Sequence, residues 1–101
     1  MPTVVVNVRR GEDFDVYIAR PGPYHNPFVM HGEADRDAVC DKHMKWLRAM
    51  PGDQLIAYLR PLVGKRLGCI CKPKRCHGDN LVKAIYELGL EEATSRQGSS
   101  S

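Results

Sequence analysis

The run Leu67-Gly68-Cys69-Ile70-Cys71-Lys72-Pro73-Lys74-Arg75-Cys76-His77-Gly78-Asp79 constrains the fold more than any other part of the chain. Leu67 to Cys71 is apolar enough to read as a short buried strand. The basic turn behind it cannot continue that strand. Helical periodicity then starts near Cys76, with Leu81, Ile85 and Leu88 at i, i+4 and i+7, and Gly89 supplies the stop. A strand that runs through a tight turn into a helix needs a sheet to join. Three of the four cysteines lie in this run, with a histidine after the last, so the unit that builds the fold also concentrates the reactive side chains.

The rest of the chain supplies the partners. Thr3 to Val8 is valine-rich and reads as a strand, continuously apolar through Val6 and therefore expected at the sheet centre. After the turn Arg9-Arg10-Gly11-Glu12-Asp13, Phe14 to Ala19 alternates as a second strand. Phe14, Val16 and Ile18 fall on one face, and the short link favours an antiparallel hairpin. Arg20 to Asp35 holds three prolines and two glycines and reads as a long loop, a length often tied to function in a small domain. Arg36 to Met50 reads as a helix with Asp35 as cap and Val39, His43, Trp46, Leu47 and Met50 on one face. Cys40, one position past that stripe, reads as packing. Pro51-Gly52 breaks the helix. Asp53 is expected to cap a second one, with Leu55, Ile56 and Leu59 inward, ending near Pro61.

The expected fold class is therefore α/β: a small mixed three-stranded sheet flanked by helices in the order β-β-α-α-β-α. The helices between the second and third strands allow a right-handed parallel crossover. Ligands of such sheets sit beyond the carboxyl ends of the strands. The loop after strand two and the turn after strand three would then share one edge. Residues 1–90 form a single domain, and the polar 91–101 segment has the composition of a disordered tail.

Composition narrows the function classes. A length of 101 residues allows one modest core. No apolar run approaches the ~20 residues of a membrane span, and Thr3-Val4-Val5-Val6 is too short for a secretory h-region. A cytoplasmic location with reduced thiols is expected. The net charge of +3 permits an anionic partner without demanding nucleic acid.

Three chemistries fit the central run. Cys69, Cys71, Cys76 and His77 are four zinc-type ligands, which makes zinc a possible cofactor. Against this, i and i+2 side chains of a regular strand stand ~7 Å apart, whereas two thiolates on one zinc sit about 4 Å apart. The second chemistry is an anion site, with Cys76 at a helix N-cap, Gly78 allowing close approach, and Lys65, Arg66, Lys72, Lys74 and Arg75 around it. The third is catalysis, with a thiol activated at a helix N-terminus and His77 as base or proton donor. For each there is a plain alternative: solvated basic residues, a buried inert Cys76, a His77 bonded to a carbonyl.

The motif set gives more. Val5-Val6-Asn7-Val8-Arg9, Asp15-Val16-Tyr17-Ile18-Ala19-Arg20, Asn26-Pro27-Phe28, Arg36 before a helix ending Trp46-Leu47, Leu67-Gly68-Cys69-Ile70-Cys71-Lys72-Pro73 and Cys76-His77-Gly78-Asp79-Asn80-Leu81 together resemble the domain of unknown function 4326 (DUF4326), a family common in bacteriophages and bacteria. The resemblance covers roughly residues 4 to 88 and implies a phage or bacterial origin. It implies little about mechanism. The Cys-x-Cys and Cys-His-Gly segment is more distantly similar to the ending of another α/β family, DUF488, where an arginine stands in place of Gly78. Arg20, Asn26, Phe28, Arg36, Cys71, Cys76, His77 and Asp79 are motif residues retained here. His43 stands where the family usually has an aromatic residue, Ile70 where it often has Trp, and Ala19 where it often has Gly.

The expected site lies between the Arg20–Phe28 loop, Arg36 and the Cys71–Asp79 turn. It binds, and would turn over, a small anionic, nucleotide-like ligand. Arg20 and Arg36 hold charge, Asn26 hydrogen-bonds, Phe28 walls the pocket, and Cys71 and Gly78 adjoin it. Cys76 and His77 form the reactive pair, with Asp79 orienting the histidine or capping the helix. The rival readings are a zinc-stabilised module that binds a host protein in the host cytoplasm, and a nucleic-acid binder using the basic turn.

Overall fold

A computed structural model describes residues 2–20, 22–72 and 74–90. The 91–101 tail expectation lies outside the described residues. The elements run β1 (Val4–Asn7), β2 (Val16–Tyr17), α1 (Arg36–Arg48), α2 (Gly52–Leu59), β3 (Arg66–Cys69) and α3 (His77–Glu87), with single 3-10 turns at Val8–Arg10, Glu33–Asp35 and Arg60–Leu62. The α/β class and the β-β-α-α-β-α order are as the sequence predicts.

The sheet pairing is different from the expected hairpin. β3 lies in the middle and both β1 and β2 pair with it in parallel, giving the order β1-β3-β2. The sheet is thus parallel rather than mixed, and β1 is an edge strand. The physical reason is visible in burial. Leu67, Gly68 and Cys69 are all buried, as a central parallel strand requires, while β1 is only half-buried at Val5 and Val6.

A parallel pairing of consecutive strands forces residues 8–15 to cross from one edge of the sheet to the other, over the face of β3. Gly68 makes room for that crossing. A Cβ there would meet Val8 Cγ1 at 2.7 Å and Phe14 Cγ at 2.8 Å. Phe14, expected inward with Val16 and Ile18, instead lies over Gly68 beside the Tyr17 ring, 6.0 Å away between centroids. Asp15 anchors the return: its N–H donates to Arg66 O, and its carboxylate accepts from the Arg66 backbone N–H and guanidinium.

The opposite face carries the core. Leu67, Cys69 and Ile18 join Met44 and Leu47 of α1, Leu55 and Leu59 of α2, and Leu81, Ala84 and Ile85 of α3 in one apolar cluster. The α1 stripe runs through Val39, Cys40, His43, Met44 and Leu47, with Trp46 half-buried beside it. Leu88, expected inward, is 40% exposed because α3 ends at Glu87 and Gly89 turns left-handed at φ 69°. The caps also differ from expectation. The Asp35 carboxylate accepts from His31 N–H rather than from α1, and Asp53 sits inside α2, accepting from Gln54 N–H. Among the described residues no helix is long and apolar enough to cross a membrane.

Candidate functional site

Because all three strands point the same way, the segment after β2 and the turn after β3 emerge at one edge. A cavity of about 300 Å³ lies there, bounded by Ala19, Arg20, His25, Asn26, Phe28, Val29 and Met30 of the loop, Arg36, Val39 and Cys40 of α1, and Ile70, Cys71, Arg75, Cys76 and His77 around the turn. Its walls are mostly apolar. Of the residues expected at the site, Arg20, Asn26, Phe28, Arg36, Cys71, Cys76 and His77 border it. Gly78 and Asp79 do not.

The loop is held in shape by polar contacts that begin in the motif residues. The Asn26 side-chain oxygen accepts from Phe28 N–H at 2.9 Å, an Asx turn that sets the Asn-Pro-Phe bend. The Asn26 backbone carbonyl accepts from the Arg20 guanidinium at 2.9 Å. His25 Nδ1 bonds the Gly22 carbonyl at 2.7 Å. The Tyr24 hydroxyl donates to the Tyr58 carbonyl at 3.0 Å, and the two rings pack 4.9 Å apart, tying the loop to α2.

His77 is the clamp between loop and helix. Its Nε2 is 2.8 Å from the Ile18 carbonyl and 2.9 Å from the Tyr24 carbonyl, so this nitrogen carries the proton and donates to both. Burial pushes its pKa down, partly offset by those two carbonyls. The neutral imidazole therefore has its N–H committed to the backbone. Next to it, edge-on with ring centroids 5.2 Å apart, His43 is fully buried. His43 Nδ1 accepts from the Asn80 amide at 3.1 Å, and the same amide donates to the Cys40 carbonyl at 2.8 Å. Burial holds the His43 pKa down at about 3, with the neighbouring His77 a smaller cause.

Asp79 bonds the helix start and Lys72 rather than the His77 ring. It accepts from the Cys76 backbone N–H at 3.3 Å, as a capping residue does, and pairs with Lys72 Nζ at 2.7 Å. Gly78 is a packing glycine: a Cβ there would meet Ile18 Cδ1 at 2.7 Å and Val5 at 3.1 Å. It lets the first turn of α3 lie directly on the sheet.

The cysteines do not form one metal-ligand set. Cys69 and Cys76 are buried with their sulfurs 3.5 Å apart. The half-buried Cys71 thiol lies instead against the Arg36 guanidinium at the cavity wall. The His77 ring faces the two carbonyls. With β3 ending at Cys69, the chain turns and carries the Cys71 thiol to Arg36, away from the Cys69–Cys76 contact. Among the described residues no group of three or more Cys, His, Asp or Glu side chains is placed to hold a metal ion. The zinc reading of Cys69, Cys71, Cys76 and His77 thus has no converged ligand set behind it among the described residues.

The basic turn is largely neutralised. Lys72 pairs with Asp79, Lys74 with Glu33, Arg75 with Asp37 and Asp41, and Arg66 with Asp15. Arg36 grips both oxygens of Glu33, at 3.0 and 2.6 Å, and donates to the Arg75 carbonyl at 2.9 Å. Glu33 foremost, then the Cys71 thiol, pushes the Arg36 pKa up. Of the three arginines that border the cavity, Arg20 alone has no carboxylate partner among the described residues.

Several residues of the site were not singled out from the sequence. Asn7, at the end of β1, donates through its side-chain amide to the Lys72 carbonyl and so fixes the turn after β3. Asn80 was visible in the Cys-His-Gly-Asp-Asn run, but its partners, 37 and 40 positions away, were not. Val29, Met30 and Ile70 are exposed aliphatic side chains at the cavity rim. For Val29 and Met30 the signal was their place just after Asn-Pro-Phe; Ile70 was marked only as standing between the two cysteines where the resemblance puts Trp.

The site and fold define a small parallel α/β domain with an apolar, arginine-flanked cavity at the carboxyl edge of its sheet. The chain belongs to the DUF4326 family, the domain of unknown function of that number, whose family model matches residues 6–87. A relative, the "Uncharacterized 12.4 kDa protein in nrdA-td intergenic region" of Enterobacteria phage T4, is 40% identical over 78 residues, covering 75% of this chain and 71% of that one. No solved structure matches the chain significantly.

Proposed function

We propose that this domain binds a small anionic ligand with a flat apolar portion, a nucleotide or nucleotide-like metabolite, in the cavity beside Arg20. The observation that carries the reading is the pairing of an apolar recess with a cation at its rim that has no carboxylate partner among the described residues. A cavity of about 300 Å³ is at the small end of the ~300–1,000 Å³ usual for ligand pockets. It suits a base-sized ring against Phe28 and Ile70, with the anionic group outside at Arg20. Loop contacts made before any ligand arrives lower the ordering cost of binding.

Binding has more support than turnover by Cys76, His77 and Asp79. The His77 N–H is spent on two carbonyls and the Asp79 carboxylate on Lys72 and the Cys76 N–H. Nucleic-acid binding has less support still, because the basic turn is paired internally. The setting we assign is cytoplasmic, that of the host if the chain is phage-encoded.

The test is thermal stabilisation by a panel of nucleoside mono-, di- and triphosphates and sugar phosphates, followed by calorimetric titration of any that stabilise. Arg20→Ala should weaken the best ligand about 10- to 100-fold, the worth of a charge-assisted hydrogen bond, with cooperative unfolding retained. A panel that leaves the melting temperature unmoved, or equal affinity for Arg20→Ala, overturns the reading. A second reading, capture of an apolar side chain of a host protein, is favoured by the exposed Val29, Met30 and Ile70 at the rim. It predicts that a Met30→Asp change abolishes the interaction and leaves nucleotide titrations flat in both proteins.

A further inference from the structure

Cys69 closes β3 and Cys76 precedes α3, so the turn between them brings two sulfurs from different elements to 3.5 Å, with the Cys76 thiol donating to Cys69 Sγ. Buried thiols that merely pack have no need of donors aimed at sulfur. Here the backbone N–H groups of Cys71 and Lys72 also favour the Cys69 thiolate, and that of Gly78 the Cys76 thiolate. The Cys76 hydrogen bond, helped by those backbone groups, pulls the Cys69 pKa down, so that one proton held across the sulfur–sulfur contact serves the pair. The turn that carries these donors is fixed from three sides: the Asn7 amide on the Lys72 carbonyl, the Lys72–Asp79 ion pair, and Lys74 N–H on the Cys71 carbonyl at 2.8 Å. Of the two sulfur residues only Cys76 borders the cavity, and Cys69 stands behind it.

We propose that Cys76 and Cys69 are a redox dithiol that reduces a small hydroperoxide admitted through the cavity. Cys76 passes its proton to Cys69 and its sulfur attacks the peroxide oxygen. The O–O bond breaks, Cys76 becomes a sulfenic acid, and the departing alkoxide (hydroxide, for hydrogen peroxide) takes the proton back from Cys69. The Cys69 thiolate then attacks Cys76 Sγ. The sulfenic hydroxyl leaves as water with a proton from solvent, and a Cys69–Cys76 disulfide remains. Two thiols lose two electrons and the peroxide gains them. The sulfurs need close by only about 1.5 Å, from 3.5 Å to a ~2 Å bond. Near-complete burial of both sulfurs favours an oxidant as small as a hydroperoxide over a bulky disulfide. The role of Cys69 is that of resolving thiol.

The test is hydrogen peroxide on the folded full-length chain after chelator treatment, with alkylation and peptide mapping. The expected result is loss of two hydrogens, a Cys69–Cys76 cross-link, and full recovery on adding dithiothreitol. In Cys69→Ser the cross-link disappears and a sulfenic acid on Cys76 becomes trappable by dimedone. In Cys71→Ser the cross-link still forms. Oxidation confined to Cys71, or cross-linking of Cys69 and Cys76 only in urea, overturns the proposal, and mapping of the wild-type chain decides it even if a variant fails to fold. None of these results depends on nucleotide binding.

Discussion

Acid should destabilise this protein well above the range in which carboxylates protonate, and His43 should be the main cause. The His43 ring is fully buried beside His77, with its Nδ1 accepting from Asn80 and its Nε2 without a hydrogen-bond partner. A proton on Nδ1 would break the Asn80 contact and place a charge in the core. The folded-state pKa is held at about 3 by burial, against 6.5 for the free side chain. The sign follows directly. Between pH 6.5 and 3 the unfolded chain binds a proton that the folded chain refuses, so unfolding becomes easier as pH falls. The loss begins near 6.5 and levels off near 3. At pH 5 the linkage relation gives RT ln(1 + 10^1.5), about 2 kcal/mol, from this one residue. Burial lowers the His77 pKa as well, so it adds to the loss in the same direction. Against a typical stability of ~5–15 kcal/mol for a small domain, that is a sizeable fraction.

The assay is urea denaturation followed by far-ultraviolet circular dichroism at pH 7.5, 6.5, 5.5 and 5. That window excludes the strongest carboxylate effects. Asp15 and Glu33 are both held near 2, chiefly by hydrogen bonds from Arg66 and Arg36 respectively, and their stabilising contributions are lost only at lower pH, where the unfolded carboxyls protonate. The decisive comparison is His43→Phe, which keeps an aromatic ring in the core and removes the titrating nitrogens. Its absolute stability changes through repacking, so the slope is the readout. The wild type should lose about 2 kcal/mol or more from pH 7.5 to 5, and His43→Phe about 2 kcal/mol less than that. A flat wild-type profile, or an unchanged slope in His43→Phe, refutes the reasoning that a neutral buried imidazole is required by the fold.

Gly68→Ala should cost about 1–3 kcal/mol by urea denaturation, because its Cβ would fall within 2.7–2.8 Å of Val8 and Phe14 in the crossover; a change under about 0.5 kcal/mol would mean that the crossing segment shifts freely. His77→Ala leaves the Ile18 and Tyr24 carbonyls without their donor. The expected loss is about 2–5 kcal/mol, read by denaturation, with faster amide exchange in residues 18–28; unchanged exchange there would dismiss the clamp. Chelator treatment should leave the melting temperature unchanged, since the four zinc-type donors do not converge, and stoichiometric zinc lost together with structure would reverse that conclusion.

The legible parts of the fold were those set by local chemistry. The α1 and α3 boundaries followed from periodicity, Pro51-Gly52 and Gly89, and the strand-turn-helix unit from the Leu67–Asp79 run. The edge that gathers the loop, Arg36 and the turn followed from strand direction alone. Pairing was illegible for a specific reason. A short link between β1 and β2 is the usual mark of a hairpin, and the room for the parallel crossing is made at Gly68, on a third strand far along the chain. The site divides likewise. Residue types marked the cavity wall, but not which charges stay unpaired: Arg36 and Arg20 look alike in sequence, and Glu33 distinguishes them.

The family motif, viewed through its contacts, serves construction more than chemistry. In Cys-His-Gly-Asp, Cys76 is a buried N-cap residue, His77 clamps two carbonyls, Gly78 lets the helix touch Val5 and Ile18, and Asp79 closes the cap and pairs with Lys72. The His77, Gly78 and Asp79 roles are fully engaged by the protein itself, and only the Cys76 sulfur, at the cavity wall beside Cys69, keeps chemistry of its own. Asn26 and Arg36 are similarly occupied, by the Phe28 N–H and by Glu33. What remains at the cavity, besides the Cys76 sulfur, is Arg20 beyond its one carbonyl contact, the Phe28 face, and the rim formed by Val29, Met30 and Ile70. Loss of function in a His77, Gly78 or Asp79 variant would therefore report first on the shape of the cavity. Changes at Arg20 and the rim, which the core does not need, are the ones that read out what the cavity holds.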